Sequence, residues 1–386
     1  MCTKTTPRSA GSNRSIKIAT SCDPKLGPLS LLPGTWANIR PEHRLITEDK
    51  PNGDPFKGEG TLSGRGQSPF DGRGWNMIAL PFAEPGQDRN YRILMNQYNE
   101  VLGFKFIDDK IPNRGITLDQ PSQNADQKVT ALDYTQMITQ IAGSDVSSSD
   151  DLAGEPGLPI HHEPGFFLHM CHPPTEMRED VKINIARLAT IPHGNSVTAL
   201  GVSSEKDGAP TIPDLSGLPE GVSDNIAEAV QNATGNTDYL FPYNFFANNP
   251  FRGVVETADF SGFSPENANQ LLQSGMPQNV VRSTILPFDT DILDGGIRNI
   301  PFIEQQADAA SMTSTFWIME LNERDNSGNP RLVLAYSQFI FLDFFERRDG
   351  RPGRIRWPHI SINVMEKISE ADQIQASPVE MAVTRG

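Results

Sequence analysis

The apolar positions of this chain fall into short runs, some alternating with polar residues and some nearly continuous, divided by Gly, Pro, Asn and Asp. Such runs predict β-strands joined by turns. YRILMNQY (91–98) and VLGFKFID (101–108) flank Asn99-Glu100, which reads as a two-residue hairpin connection. DYTQMITQI (133–141) alternates in part; GFFLHM (165–170), INIARLATI (183–191) and SVTALGV (196–202) follow at regular spacing. The style then breaks. SSEKDGAPTIPDLSGLPEGVSD (203–224) is rich in Pro, Gly and Asp and reads as a linker, with a short helix expected over Asp224–Gln231. Strand runs resume with VVETADF (254–260), RSTILPFD (282–289), STFWIMEL (314–321), LVLAYSQFIFLDF (332–344) and HISINVMEKI (359–368). Between them Ser264, Pro265, Glu266 and Gly275 mark the cap, first turn and end of one helix.

In the run 332–342, Leu332, Leu334, Tyr336, Gln338, Ile340 and Leu342 share one face, and Val333, Ala335, Ser337, Phe339 and Phe341 the other. Both faces are largely apolar. A barrel strand has this form when one face meets a neighbouring layer and the other lines a cavity; a strand buried in a solid sandwich has it too. A length of 386 residues exceeds most single cores. The expectation is therefore an all-β chain of two antiparallel β-barrels with a few short helices: a loose tail over 1–25, an N-terminal barrel over 26–205, and a linker plus C-terminal barrel over 206–386.

Composition narrows the function. The net charge is −15, and the basic run RRDGRPGRIR (347–356) is broken by glycines and a proline, so a nucleic-acid partner is not expected. Cys2, Cys22 and Cys171 form neither a disulfide framework nor a paired zinc motif. The N-terminus lacks the apolar run of a signal peptide and no run is long enough to span a membrane, so the expected location is the cytoplasm. Asn13-Arg14-Ser15 and Asn232-Ala233-Thr234 then fit the glycosylation pattern by chance. A GxSxG elbow, a P-loop, a GxGxxG after a strand and an HExxH are all missing, and DNSGNP (325–330) has the wrong carboxylate spacing for a calcium loop.

Histidine is the informative residue. Five of the seven lie between His161 and His193. On a strand His161 and Glu163 share a face and His162 takes the other. Such a pair is a tuned acid–base couple, an oriented ligand, or a hydrogen-bonded pair at a barrel rim. His169 and His172 end a strand before Pro173-Pro174, with a spacing that suits no metal site. Ile191-Pro192-His193-Gly194 is a compact turn that points His193 into a barrel mouth or into solvent. Arg187, on the strand before it, could pair with Glu163 or bind a ligand oxygen. Trp357-Pro358-His359 opens the last strand, and Gly74-Trp75-Asn76 offers a ring and an amide. Core packing is the ordinary role of Trp75, Trp317 and Trp357.

LGPLSLLPGTW, GRGWNMIALPF, IPNRG, IHHEPGFFLHM, RLATIPHGNSVTALG, NIPFIEQQADAASMTSTFWI and RWPHISINV together resemble a family of bacterial and fungal proteins built as two lipocalin-like or fatty-acid-binding-like barrels, over Leu26 to Ile368. Members similar to it act in fungal secondary metabolism as cofactor-free hetero-Diels–Alderases, joining a tropolone-type quinone methide to a humulene-type alkene. The opening LPGTW and the H-x-E-x-G pattern also resemble nitrobindin-type haem barrels. In GRGWNMIALPF, Ala79-Leu80 stand where the family carries Trp-Arg, so a ligand touching that pair would differ here. The resemblance implies a small apolar substrate held in near-attack geometry, with no cofactor. His161, His193, Arg187 and His359 become the expected hydrogen-bond donors, Glu163 the partner of His161, and Trp75, Asn76, Trp317, Tyr336 and Trp357 the substrate contacts. Haem on His161 or His193, or a non-catalytic lipid or pigment carrier, are the alternatives. The oligomeric state is left open.

Overall fold

The computed structural model describes residues 24–45, 48, 51, 54–60, 74–82, 90–117, 120–124, 126–146, 153–170, 183–222, 226–232, 240–255, 258–325, 328–347 and 352–369. Two 3-10 turns meet at Gly27 within Pro24–Leu29. The strands of the first half are β1 (Gly34–Ala37), β2 (Ile39–Leu45), β3 (Asp54–Gly60), β4 (Gly74–Pro81), β5 (Tyr91–Asn113), β6 (Ile116–Thr117), β7 (Gln120–Asn124), β8 (Gln127–Val146), β9 (Pro159–Met170), β10 (Ile185–Ile191), β11 (Asn195–Gly201) and β12 (Ser204–Asp207). Helices α1 (Ile226–Asn232), α2 (Phe241–Asn248) and α3 (Gln270–Gly275) precede β13 (Val280–Asp289) and β14 (Gly296–Asn299). The chain continues through α4 (Pro301–Gln306), β15 (Asp308–Arg324), β16 (Pro330–Glu346) and β17 (Arg354–Ser369).

Among the described residues ten strands form one closed antiparallel barrel, ordered β13-β15-β16-β17-β1-β5-β8-β9-β10-β11 and closed where Leu200 of β11 meets Asp289 of β13. The second half of the sequence supplies β13, β15, β16 and β17 as one consecutive arc of this single ring, and the first half supplies the other six strands as the complementary arc. A second barrel is not found among the described residues. The boundary expected at 205/206 falls inside β12, which pairs with β13. The remaining 210–222 stretch, expected as linker, packs on the barrel: Ile212 and Leu218 are buried, and the amide of Gly217 donates to the carbonyl of Pro265 at 2.7 Å.

One strand position is shared by two short strands. Between β5 and β17, β1 pairs at one end (Leu102 with Trp36, Trp36 with Lys367) and β4 at the other (Asn76 with Asn96, Ser361 with Asn76). At the break the side chain of Asn38 stands in for backbone. Its amide donates to the carbonyl of Tyr98 at 2.9 Å, and its oxygen accepts from the amide of Glu100 at 3.0 Å. The hairpin expected at Asn99-Glu100 is not formed. β5 runs through it, and both residues are buried instead of exposed at a turn.

Alternation sorts the apolar residues into two cores. Even positions of β16 (Leu334, Tyr336) enter the barrel, with Phe104, Tyr134, Phe167, Phe288 and Phe316. Odd positions (Val333, Ala335) face outward into a second layer, where Tyr243, Phe246, Phe251, Phe260, Phe263, Leu271 and Leu272 cover them. That cover has little regular structure. The described residues of VVETADF (254–255 and 258–260) form no strand, and the helix expected over 264–275 is reduced to α3. The reason is local: residues 265–268 bond to the 215–217 segment, with Ala268 donating to Leu215 at 2.8 Å and Asn267 accepting from Leu215 at 3.2 Å.

The barrel interior was expected to be hollow; one end of it is solid. Leu26, Leu29, Leu31 and Leu32 plug the axis beside Trp36. Phe167 has Tyr134, Phe288, Phe104 and Phe316 around it at ring separations of 4.9, 5.0, 5.2 and 5.3 Å.

Candidate functional site

The opposite end of the barrel carries the histidines. Register places them together: β9 runs antiparallel to β10 with Gly165 opposite Ala189, so His161 lies level with the β10–β11 turn that holds His193. His359 comes from β17, next to Ile78 of β4 and Ile340 of β16. Both His161 and His193 act on His359 electrostatically. Three imidazoles from three separate elements therefore share one end. His193 is exposed on its turn, and His161 and His359 are both partly buried.

Below the rim lies an ion pair. Arg187 donates from Nη2 to Glu163 Oε1 at 2.6 Å, and both side chains are buried. Tyr134 donates its hydroxyl to the same carboxylate oxygen, and Arg187 Nε donates to Tyr134 at 3.1 Å. Arg187 Nη1 reaches Gln338 Oε1 at 2.7 Å and Ser314 Oγ at 3.2 Å. The guanidinium lies over the rings of Phe316, Tyr134 and Phe167, at 5.4, 5.6 and 5.9 Å. It caps the aromatic end with a charge. Burial alone would raise the Glu163 carboxyl; the facing Arg187 and the bonds from His161 and Tyr134 outweigh it and bring it down to about 2.

These bonds fix the imidazoles. His161 Nε2 faces Glu163 Oε2 at 3.1 Å, and a carboxylate can only accept, so this nitrogen carries hydrogen. Neutral His161 is left with Nδ1 as an acceptor; a second proton would make that nitrogen a donor, with Glu163 balancing the charge. His359 has the reverse arrangement. The amide of Asn76 lies 2.8 Å from His359 Nε2 and donates to Ser361 Oγ at 2.8 Å. With Nε2 accepting, Nδ1 carries the hydrogen. Burial, then the nearby His161 and His193, depress this imidazole to about 3, so it stays neutral and keeps a donor.

A second carboxyl sits in the same interior. Glu100 accepts from the Tyr336 hydroxyl at 2.6 Å, from Gln136 Nε2 at 2.7 Å and from Asn363 at 2.8 Å. Tyr98 and Tyr336 hydroxyls are 2.9 Å apart. Burial raises the Glu100 carboxyl, partly offset by the bonds from Tyr336, Asn363 and Gln136 and by His161. These three partners of Glu100 are neutral, whereas Glu163 faces the Arg187 guanidinium. Tyr98, Glu100, Tyr134, Gln136, Ser314, Gln338 and Asn363 escaped the sequence reading. Inward polar residues on alternating strands were the available signal.

The expected tryptophan walls are not in the barrel. Trp75 packs against Phe260, Phe251 and Phe263 in the outer layer, at 5.2, 5.8 and 6.2 Å. Trp317 belongs to the same outer core. Trp357 stacks on Phe344 at 4.9 Å and meets Tyr91 at 4.4 Å. Of the predicted substrate contacts only Asn76 and Tyr336 point inward, and Tyr336 is already engaged with Glu100. Apolar neighbours of the imidazoles are instead isoleucines: Ile138 opposite His161, and Ile340 and Ile78 beside His359.

His162 is exposed on the other face of β9. His169 is half-buried at the plugged end, and His172, Cys171 and the side chain of His43 lie outside the described residues. Among the described residues no group of three His, Cys, Asp or Glu is arranged to hold a metal ion. Of the two expected haem ligands, His161 has its Nε2 committed to Glu163, and His193 is exposed on its turn. No helix of the described residues is long and apolar enough to cross a membrane.

No family model matches the sequence, and no curated protein matches it. One solved structure, the crystal structure of Rv2717c from M. tuberculosis, aligns over 89% of this chain and 97% of that one, at 14% identity and a TM-score of 0.31. That likeness is too slight to bear on function.

Proposed function

We propose that the histidine-bearing end of the barrel is open, binds a bulky apolar molecule of the tropolone or terpenoid class and closes a ring in it. The reaction type is a cofactor-free hetero-Diels–Alder cyclisation, in a lipocalin-like mode of ligand binding. The observation that carries this reading is the trio His161, His193 and His359, three imidazoles from separate elements above the buried Glu163–Arg187 pair. A cycloaddition moves no proton and needs no cofactor. It needs two partners held in contact and a donor for the oxygen that gains charge as the bonds form. An imidazole held neutral, as at His359, is such a donor. His161, oriented by Glu163, is a second contact for the oxygen-bearing partner. Arg187 acts through Glu163 and is a positioning residue. Ile78, Ile138 and Ile340 supply apolar contact in place of the tryptophans.

The test is direct. Purified protein is incubated with humulene and a quinone methide generated from a hydroxymethyl tropolone. Accelerated formation of an adduct whose mass is the sum of the two reactants is expected. His161→Ala should abolish the acceleration while the circular dichroism spectrum is kept. Binding of both compounds without acceleration would make the protein a carrier and end the enzymatic reading. A Soret band in the purified protein would replace it with haem binding. Intrinsic tryptophan fluorescence is a poor reporter here, because Trp75, Trp317 and Trp357 lie outside the barrel and Trp36 at its plugged end.

A further inference from the structure

We propose that Gln136 is a specificity residue of the open end, where its side-chain oxygen accepts a hydrogen bond from a hydroxyl group on the bound molecule. This rests on the reading that the open end takes a small molecule. It adds a requirement on that molecule's chemistry.

Gln136 lies on β8 opposite Glu163, one inward step below Ile138, which faces His161. It is 4% exposed, and its oxygen is buried with no hydrogen-bond partner. Its orientation is set by the other end of the amide. Tyr336 gives its only proton to Glu100, so the Tyr336 oxygen can only accept. The Gln136 group that faces both Glu100 Oε1 at 2.7 Å and the Tyr336 oxygen at 3.4 Å must therefore be the NH2. The carbonyl is turned away from that network. The nearest carboxylate beside it in the sheet, Glu163, is an acceptor already served by Arg187, Tyr134 and His161. The protein groups that hold Gln136 thus provide no donor for its oxygen. A buried acceptor without a donor is costly, and such groups mark places where an external donor completes the structure. A hydroxyl-bearing ligand would complete it, and an analogue lacking that hydrogen would be rejected.

The probes are tropolone and its methyl ether, at a pH where the tropolone hydroxyl is protonated. Binding is followed by calorimetry on the full chain. The wild type is expected to prefer tropolone by roughly 10- to 100-fold. In Gln136→Met the preference should fall to within about 2-fold, through loss of tropolone affinity with the ether unchanged. Equal binding of the two compounds by the wild type overturns the inference, as would follow if an ordered water satisfied the oxygen. A preference that survives in Gln136→Met overturns it too. The wild-type ratio stands alone if the variant does not fold. Failure of both compounds to bind would remove the proposed function itself, and this inference with it.

Discussion

At the plugged end of the barrel Phe167 is surrounded by four rings and the N-terminal leucines; at the other, three imidazoles stand over two carboxyls and one guanidinium. The first region gains stability from apolar area and ring contacts. The second buries charge, which costs desolvation that only its own partners offset. Stability and candidate chemistry are thus separated along one axis, with Arg187 at the border, bonded to Glu163 on one side and lying over the phenylalanine cluster on the other. The two carboxyls show what that position does: Glu163, facing Arg187, is pulled well down, and Glu100, held by neutral donors, is pushed up.

Breaking each end should cost about as much but be repaired differently. Arg187→Met leaves Glu163 buried and uncompensated, at about 3–5 kcal/mol in urea unfolding. Adding Glu163→Leu should recover most of it, since no charge then remains. Phe167→Ala should cost about 3–5 kcal/mol through its cavity, and Glu163→Leu should not recover it. Recovery in both backgrounds, or in neither, would erase the distinction between the ends.

A pH series sharpens it. His359 is depressed to about 3 from 6.5, so the folded state resists its protonation. Its stabilising contribution is complete above pH 6.5 and is lost as pH falls towards 3. The loss at pH 4.5 is about 2–3 kcal/mol. His359→Gln should show a flatter curve over that window. Glu163 adds to the acid loss only below 4.5, its ordinary value, and down to about 2. Glu100 runs the other way, its contribution being present at low pH and lost as pH rises through its raised value. A wild-type curve without an acid slope between 6.5 and 4.5 would show that His359 is not shielded from protonation as described.

At the plugged end, Gly27 has φ 55°, and a Cβ there would lie 2.3 Å from the His169 ring. Gly27→Ala should cost about 2 kcal/mol while ligand affinity at the histidine end is unchanged. An affinity loss would show that the ends are coupled. The smallest effect is expected at His162, exposed on the outer face of β9: His162→Ala should change stability by less than about 0.5 kcal/mol and leave binding alone, against the loss expected for His161→Ala.

Part of this was legible in the residues. Period-two spacing put His161 and Glu163 on one face, and Pro192 and Gly194 marked the turn of His193, because these are local effects. The Arg187–Glu163 pair was within reach, since the two strands are sequence neighbours. The Glu100 network was not: Tyr336 and Asn363 reach it from 236 and 263 residues away, and an inward glutamate beside an asparagine looks like a turn. The tryptophans were misplaced for a related reason. Both faces of β15 and β16 are apolar, and alternation cannot say which is inside when a Pro- and Gly-rich segment, read as linker, covers the outside.

The shared strand slot between β5 and β17 bears on how the protein is made. β1 and β4 emerge first from the ribosome, yet each is flanked on one side by β17, the last described strand to be synthesised. The ring cannot close on a partial chain. Release of the C-terminal strand is the step that completes the wall, and a nascent chain stopped before residue 354 should be captured by chaperones and not accumulate as a folded half.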